Sequence, residues 1–309
     1  MASKFSAHQY CLEHLDQSLK IEKKISECPV VASLKSVNTA LTKLTFNPSS
    51  TVSEIAAVIA KDLSLTTRLL NLVNSVFAGL SVKVASIEEA IFFLGLRQIR
   101  QLALTTHVLE DMDAFMDTDI EVSSTGFWRH SIATAIMTRE ILTMANGFKD
   151  NDQYYIAGLL SDTGKLVMLH SFPDQLKASL DFNASSPREH LELERSEFGF
   201  SHAELGALYL EQNNLSSEIV QAVLFHHQPE KADGSEHYAS GIQVADIISR
   251  YAGCPPGFES DREVEYGEWD TTYGWKILFS PDRVGSQYAK ASVLRSIENL
   301  PSILHGLLD

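Results

Sequence analysis

The chain is short of cysteine, short of positive charge, and without a long apolar run, and each shortage excludes something. Its three cysteines, Cys11, Cys28 and Cys254, are odd in number and far apart, with no CxxC pair. That excludes a disulfide framework and a thiolate zinc site, and fits a reducing, cytoplasmic setting. Only 25 basic side chains stand against 40 acidic ones, a net charge of −15, and no basic run exceeds Lys23-Lys24. Phosphate backbones and anionic lipids repel such a surface, so nucleic acid is disfavoured as a partner. No apolar stretch approaches the ~18 residues of a membrane span. The opening MASKFSAHQYCLEHLDQS is polar, which argues against a secretory signal.

What is present reads as helix almost throughout. Hydrophobic residues make 44% and charged residues 21% of the 309 positions, ordinary values for a globular protein. Tyr10, Leu15, Leu19 and Ile25 fall near helical spacing across 9–26. Thr51 with Glu54, Ser86 with Glu89, and Ser201 with Glu204 are capping boxes, in which side chain and backbone satisfy each other's free groups at a helix start. Gly95 is expected to end the second of these helices. Further helices are expected over 64–77, 97–109, 152–171, 187–198 (opened by Ser186-Pro187), 202–213, 216–227, 241–252 and 284–298. Residues 111–126 are polar and acidic and suit a linker. They divide the chain into 1–118, an N-terminal helical subdomain, and 119–309, a second helical subdomain. The latter carries a Pro-, Gly-, acid- and aromatic-rich segment, 254–275, and a last helix. With no strand pattern, the fold class is all-α.

The chemistry-bearing residues are dispersed through the second half. Asp162 lies between IAGLL and KLVML, and Asp246 is surrounded by Val244, Ala245, Ile247 and Ile248. A buried carboxylate without a partner is costly, so each needs a cation, a metal or several donors. Asp162 has the alternative of capping a turn with Thr163 and Gly164, and Asp246 that of an Arg or backbone N–H partner. Lys165 is three residues beyond Asp162, on the same helical face, placed to pair with it, to hold a phosphate, or to lie on the surface. His130, His202, His226 and His227 are metal-ligand candidates. Each also has a plain reading as a core histidine, a helix-start residue, or a helix-end residue favoured by the dipole. Neighbours on a helix do not share a face, so His226 and His227 both enter one site only if the helix unwinds there. His107, His170, His190 and His237 fit no pattern. Imidazoles and carboxylates converging from several helices suit a divalent or transition metal.

The order His130, Ser161-Asp162, His202, His226-His227, Asp246 resembles the HD superfamily of metal-dependent phosphohydrolases. Asp162-Thr163-Gly164-Lys165 is similar to that family's HDxGK segment, and the HH pair to the HD-GYP branch. The first half resembles the HDOD domain, at Pro29, Asp62, Leu69-Leu70, Asn74-Ser75, Gly79, Ile87-Glu88-Glu89-Ala90 and Leu94-Gly95. Together the likeness covers about 25–250. It implies an HDOD-type helical bundle with an HD-like subdomain and a bacterial signalling or regulatory role.

The chain departs from the catalytic pattern in three places. Ser161 replaces the His of the HD doublet, Gly126 stands where some HD-GYP enzymes have a Glu, and no GYP motif follows His227. The expectation is therefore a signalling protein with a degenerate metal site, which binds a signalling protein partner or a phosphorylated small ligand through the degenerate HD cleft or the N-terminal helical surface. One or two divalent ions (Fe, Mn, Ni, Zn or Mg) would lie among His130, Asp162, His202, His226, His227 and Asp246. The alternative is a phosphohydrolase acting on a nucleotide or other phosphoester, with Asp162 and Lys165 in catalytic roles and a metal-activated water as nucleophile.

Overall fold

The computed structural model describes residues 6–14, 18–29, 47, 49–61, 63–76, 83–116, 120, 122–147, 149–180, 182, 184–258, 264–279 and 285–308. Among them the regular structure is helical, with no strand. Asp62, Gly79 and residues 30–41 of the expected motifs lie outside the described residues, as do Leu15 and residues 259–263.

Two compact units emerge, neither continuous in sequence. One comprises 1–28 with 115–296, the other 29–114 with 297–309. The chain crosses at 114/115, inside the stretch read as a linker. A two-segment division at 118/119 leaves out the exchange of the two termini, which has visible physical causes.

At the N-terminus, helices α1 (Ala7–His14) and α2 (Ser18–Ser26) belong to the first unit. The α1 start is held by Glu211, which accepts from the backbone N–H of Ala7 at 3.2 Å and of His8 at 2.7 Å. Tyr10 packs edge-on against Phe225. At the other end, residues beyond 296 pack in the second unit, where Ser75 donates to the Ser302 carbonyl at 2.6 Å. A Cβ on Gly306 would lie only 2.5 Å from the Cα of Leu72, so the approach there requires glycine.

In the second unit, α3 (Val52–Ile59) starts at the expected capping box. Glu54 N–H donates to Thr51 Oγ1 at 3.2 Å, and Thr51 N–H to Glu54 Oε2 at 2.8 Å. Helix α4 (Leu63–Val76) buries Leu65, Leu69, Leu72 and Val73. Helix α5 (Ile87–Met112) is interrupted at Gly95, whose φ of 75° and ψ of 161° are outside helical space. The expected stop is thus a break between two helical stretches. Asn74 ties α4 to the next segment by bonding both the N–H and the C=O of Val84.

The first unit continues with α6 (Ser124–Ala145), α7 (Asp152–Leu159), α8 (Thr163–Ser171), α9 (Pro173–Ser179), α10 (Pro187–Phe198), α11 (His202–Gln212), α12 (Ser217–Leu224), α13 (Glu236–Tyr251) and α14 (Tyr273–Leu278). A last helix, α15 (Gly285–Leu308), extends past Pro301, beyond the expected end at 298. Two sequence expectations are corrected by breaks. The helix expected over 152–171 divides at a turn through 160–162, and that expected over 216–227 ends at Leu224. Each break delivers a site residue. Residues of 254–275 that are described are anchored: Trp269 is fully buried, and Phe258 packs edge-on against Phe127.

Candidate metal centre

Five close-packed helices bring the site together. Helix α6 packs on α7 and α13, and α8 on α11. The α8–α11 approach is set by glycine. A Cβ on Gly164 would come within 1.7 Å of the His202 carbonyl oxygen and 2.8 Å of the Gly206 N. This crossing places the turn residue Asp162, which precedes α8, beside His202, the first residue of α11. The free N–H groups and dipole at a helix start favour a carboxylate there.

All seven residues named from the sequence meet. His130 (α6), Asp162, Lys165 (α8), His202 (α11), His226, His227 and Asp246 (α13) are each at most 5% exposed. They form two groups. In one, His130 Nε2 is 3.0 Å from Asp246 Oδ1 and 3.4 Å from Asp162 Oδ2. In the other, His202 Nε2 is 3.1 Å from His227 Nε2, and the His226 and His227 rings are 3.8 Å apart. Asp162 joins them, its Oδ1 lying 3.7 Å from His202 Nε2 and 3.2 Å from Lys165 Nζ. Within each trio, one ligand atom per residue lies within 4.8 Å of the other two, so His202, His226 and His227 could hold an ion, as could His130, Asp162 and Asp246.

The histidine tautomers are set from outside. His130 Nδ1 donates to the Cys254 carbonyl at 2.7 Å, His226 Nδ1 to the Val223 carbonyl at 2.6 Å, and His202 Nδ1 to Glu194 Oε2 at 2.6 Å. In all three the Nε2 atom is left facing the group. Such oriented imidazoles, each held through its far nitrogen, are the usual support of metal ligands. His226 and His227 both enter the centre because α12 has ended and the chain there is a turn. The condition for two adjacent histidines to converge is met.

Charge separates the two groups. For Asp162, burial opposes ionisation, but Lys165, then His130 and His202, hold its carboxyl well below the usual range. Asp246 is likewise opposed by burial and held at about 2 by Arg250 and His130. Burial works against a charged His130, yet its bonds to Asp162 and Asp246 raise it to about 9. Burial, then the neighbouring His202, takes His226 down to about 4. Burial and His226 hold His227 well below its ordinary value. The His226 Nε2 is buried without a hydrogen-bond partner.

Lys165 is buried and paired, which removes its surface reading. Asp246 has the Arg partner of its plain reading, Arg250 Nε at 3.0 Å, as well as His130. Ser161 is buried too, but its Oγ donates to the Gly158 carbonyl at 2.9 Å and so turns away from the group. At Gly126 a Cβ would meet Ser123 Oγ at 2.8 Å, the side chain that caps α6.

Sequence reasoning missed Glu194 and Arg250. Glu194 is 1% exposed, accepts from His202 Nδ1 and from its backbone N–H, and lies 3.4 Å from His190 Nε2, a residue read as patternless. Both had a signal, the i,i+4 spacings His190–Glu194 and Asp246–Arg250.

Comparison with known proteins gives the family. The HDOD domain family profile matches residues 31–229. The chain belongs to the HDOD family. An HDOD domain protein of unknown function from Geobacter sulfurreducens is 19% identical with a TM-score of 0.70, over 98% of this chain and 97% of that one. A Shewanella amazonensis SB2B protein named "Putative phosphohydrolase" is 19% identical with a TM-score of 0.62, over 94% and 98%. At these identities the likeness is one of fold. An uncharacterized protein of Treponema pallidum (strain Nichols) is 26% identical over 212 residues, 66% of this chain. The chain spans 39% of that relative's length. No described helix of this HDOD protein is long and apolar enough to cross a membrane.

Proposed function

We propose that this chain is a regulatory HDOD protein of the bacterial cytoplasm that uses its HD-like centre for binding rather than turnover. Its occupant is a signalling protein partner or a phosphorylated small ligand. One observation carries the reading. Where an HD doublet has a His, the Ser161 hydroxyl is spent on the Gly158 carbonyl, so the His130–Asp162–Asp246 group has one donor fewer.

The test is a phosphoester panel (nucleotides, cyclic dinucleotides and p-nitrophenyl phosphate) offered to protein loaded with manganese, iron or zinc. A pull-down from a bacterial lysate runs beside it. The expected result is no turnover above buffer and recovery of a specific partner. Robust turnover that disappears in Asp162→Ala, with no partner recovered, overturns the reading.

A second reading is a metal-dependent phosphohydrolase, and the position of Asp162 favours it. One carboxylate oxygen faces His130 and the other faces His202 and Lys165, as a group shared between two ions does. Divalent ions, when bound, supply Lewis-acid chemistry suited to phosphoester hydrolysis. Lys165 would then orient a phosphate oxygen.

A further inference from the structure

We infer that this chain keeps one metal site and has given up the other: His202, His226, His227 and Asp162 hold a single ion, while the Arg250 guanidinium supplies the charge of a second. The inference deepens the proposed reading, on which it rests in treating the centre as a binding site.

The histidine group has an unfilled acceptor. His226 Nε2 is buried without a partner, while its Nδ1 is committed to Val223. A buried acceptor left bare is costly, and a cation among the imidazoles removes that cost. His202 and His227 present their Nε2 atoms to each other at 3.1 Å. That is about the separation of neighbouring ligands around an ion bonded to nitrogen at roughly 2.0–2.1 Å. The His202 nitrogen is a bare lone pair, because its Nδ1 proton is given to Glu194. The proton between the two rings is the one that an ion would displace.

The carboxylate group is already satisfied. Asp246 Oδ1 meets both Arg250 Nε and His130 Nε2 at 3.0 Å, and Asp162 Oδ2 lies 3.4 Å from His130 Nε2. An ion entering there would face the fixed Arg250 guanidinium, with Ser161 contributing nothing. Repulsion between like charges in so buried a place is strong. The donor set also selects the ion. Three imidazoles and one carboxylate suit zinc, cobalt, nickel or iron, whereas magnesium prefers an oxygen shell.

The experiment uses untagged full-length protein, stripped with chelator and dialysed against Co²⁺. Bound cobalt is counted by mass spectrometry and its ligand field read from visible absorption. The expected result is about one cobalt per chain, with the bands of a nitrogen-rich site, retained in excess Mg²⁺. His226→Ala is expected to weaken binding at least about tenfold. Asp246→Asn keeps both count and spectrum.

His226→Ala also takes the Nδ1 donor from the Val223 carbonyl, so folding is checked separately. Near-UV circular dichroism checks that the variant folds, and His226→Gln replaces it otherwise. Two cobalt ions per chain, none, or one that survives His226→Ala but not Asp246→Asn, overturns the inference. Phosphoester turnover is scored separately. Turnover with one ion bound defeats the regulatory reading and leaves the ion count standing. No cobalt and no turnover does the reverse.

Discussion

The two trios share a core, a burial and a residue chemistry, yet they satisfy their polar atoms in opposite ways. His130, Asp162 and Asp246 form a charged network closed by Lys165 and Arg250. His202, His226 and His227 are imidazoles beside the Glu194 and Asp162 carboxylates, and the His226 Nε2 is left bare. The difference teaches where a degenerate site keeps its binding capacity. Loss of the doublet His at Ser161 weakens only one half, the half that protein cations already neutralise. The other half keeps its imidazoles, and Glu194 still orients one of them.

The comparison breaks altogether if the helix crossing that supports both halves is spread. Gly164→Ala puts a methyl into the His202 backbone carbonyl, and a backbone cannot swing aside as a side chain does. A loss of about 5 kcal/mol, or misfolding, is expected in urea unfolding. A stability within about 1 kcal/mol of wild type would mean that the crossing yields and does not fix the site.

Asp162→Ala comes next, because it removes the residue common to both halves and the carboxylate paired with buried Lys165. A cost of about 3–5 kcal/mol is expected, together with loss of bound metal. Asp246→Ala is expected to fall toward the lower end of that band and to leave metal in place. Arg250, at 9% side-chain exposure, is nearer to water than Lys165 at 2%. Equal metal loss in both variants, read by mass spectrometry, would erase the distinction between the halves.

Acidity separates the halves without mutation. In chelator-treated protein His226 is held at about 4, below the ~6.5 of an unfolded chain. A lowered native value means that its contribution is complete above ~6.5 and is lost as pH falls toward 4. His130, raised to about 9, contributes fully below ~6.5, and that contribution is lost as pH rises toward 9. The melting temperature should therefore fall on both sides. His226→Ala should flatten the acid limb, and Asp246→Asn the alkaline one. A single limb governed by both variants would show one coupled network in place of two.

Much of this was legible in the sequence, for reasons that differ by residue. Capping boxes at Thr51–Glu54 and Ser201–Glu204 are local chemistry, so their helix starts were readable without tertiary context. Asp162 and Asp246 were readable because charges set in apolar sequence need partners, and the histidines because the order of the set resembles the HD superfamily. What was not legible were the breaks at 160–162 and after Leu224, where periodicity continues but packing wins. Gly164 against His202 stops one helix, and the His226–His227 turn ends the other. Termini that join a unit distant in sequence leave no local mark, since the Glu211 that holds α1 looks like a surface acid. Glu194 lies within the polar run HLELERS, where its one local signal, the i,i+4 spacing from His190, does not point to His202.

Glu194 gives the smallest and most discriminating effect. It touches no part of the carboxylate group, accepts the His202 Nδ1 proton at 2.6 Å, and is held at about 2, burial being outweighed by His202 and His190. Glu194→Gln keeps the size and an acceptor oxygen but removes the charge that makes His202 a stronger donor of its Nε2 lone pair. A metal affinity lower by about 10-fold, with the stoichiometry unchanged, is expected from loss of one such outer partner. Isothermal titration with Zn²⁺ reads it. Glu194→Ala should lose more, because nothing then fixes the ring. An affinity unchanged in both variants would mean that His202 does not ligate, and that the surviving half of the centre is not the histidine half.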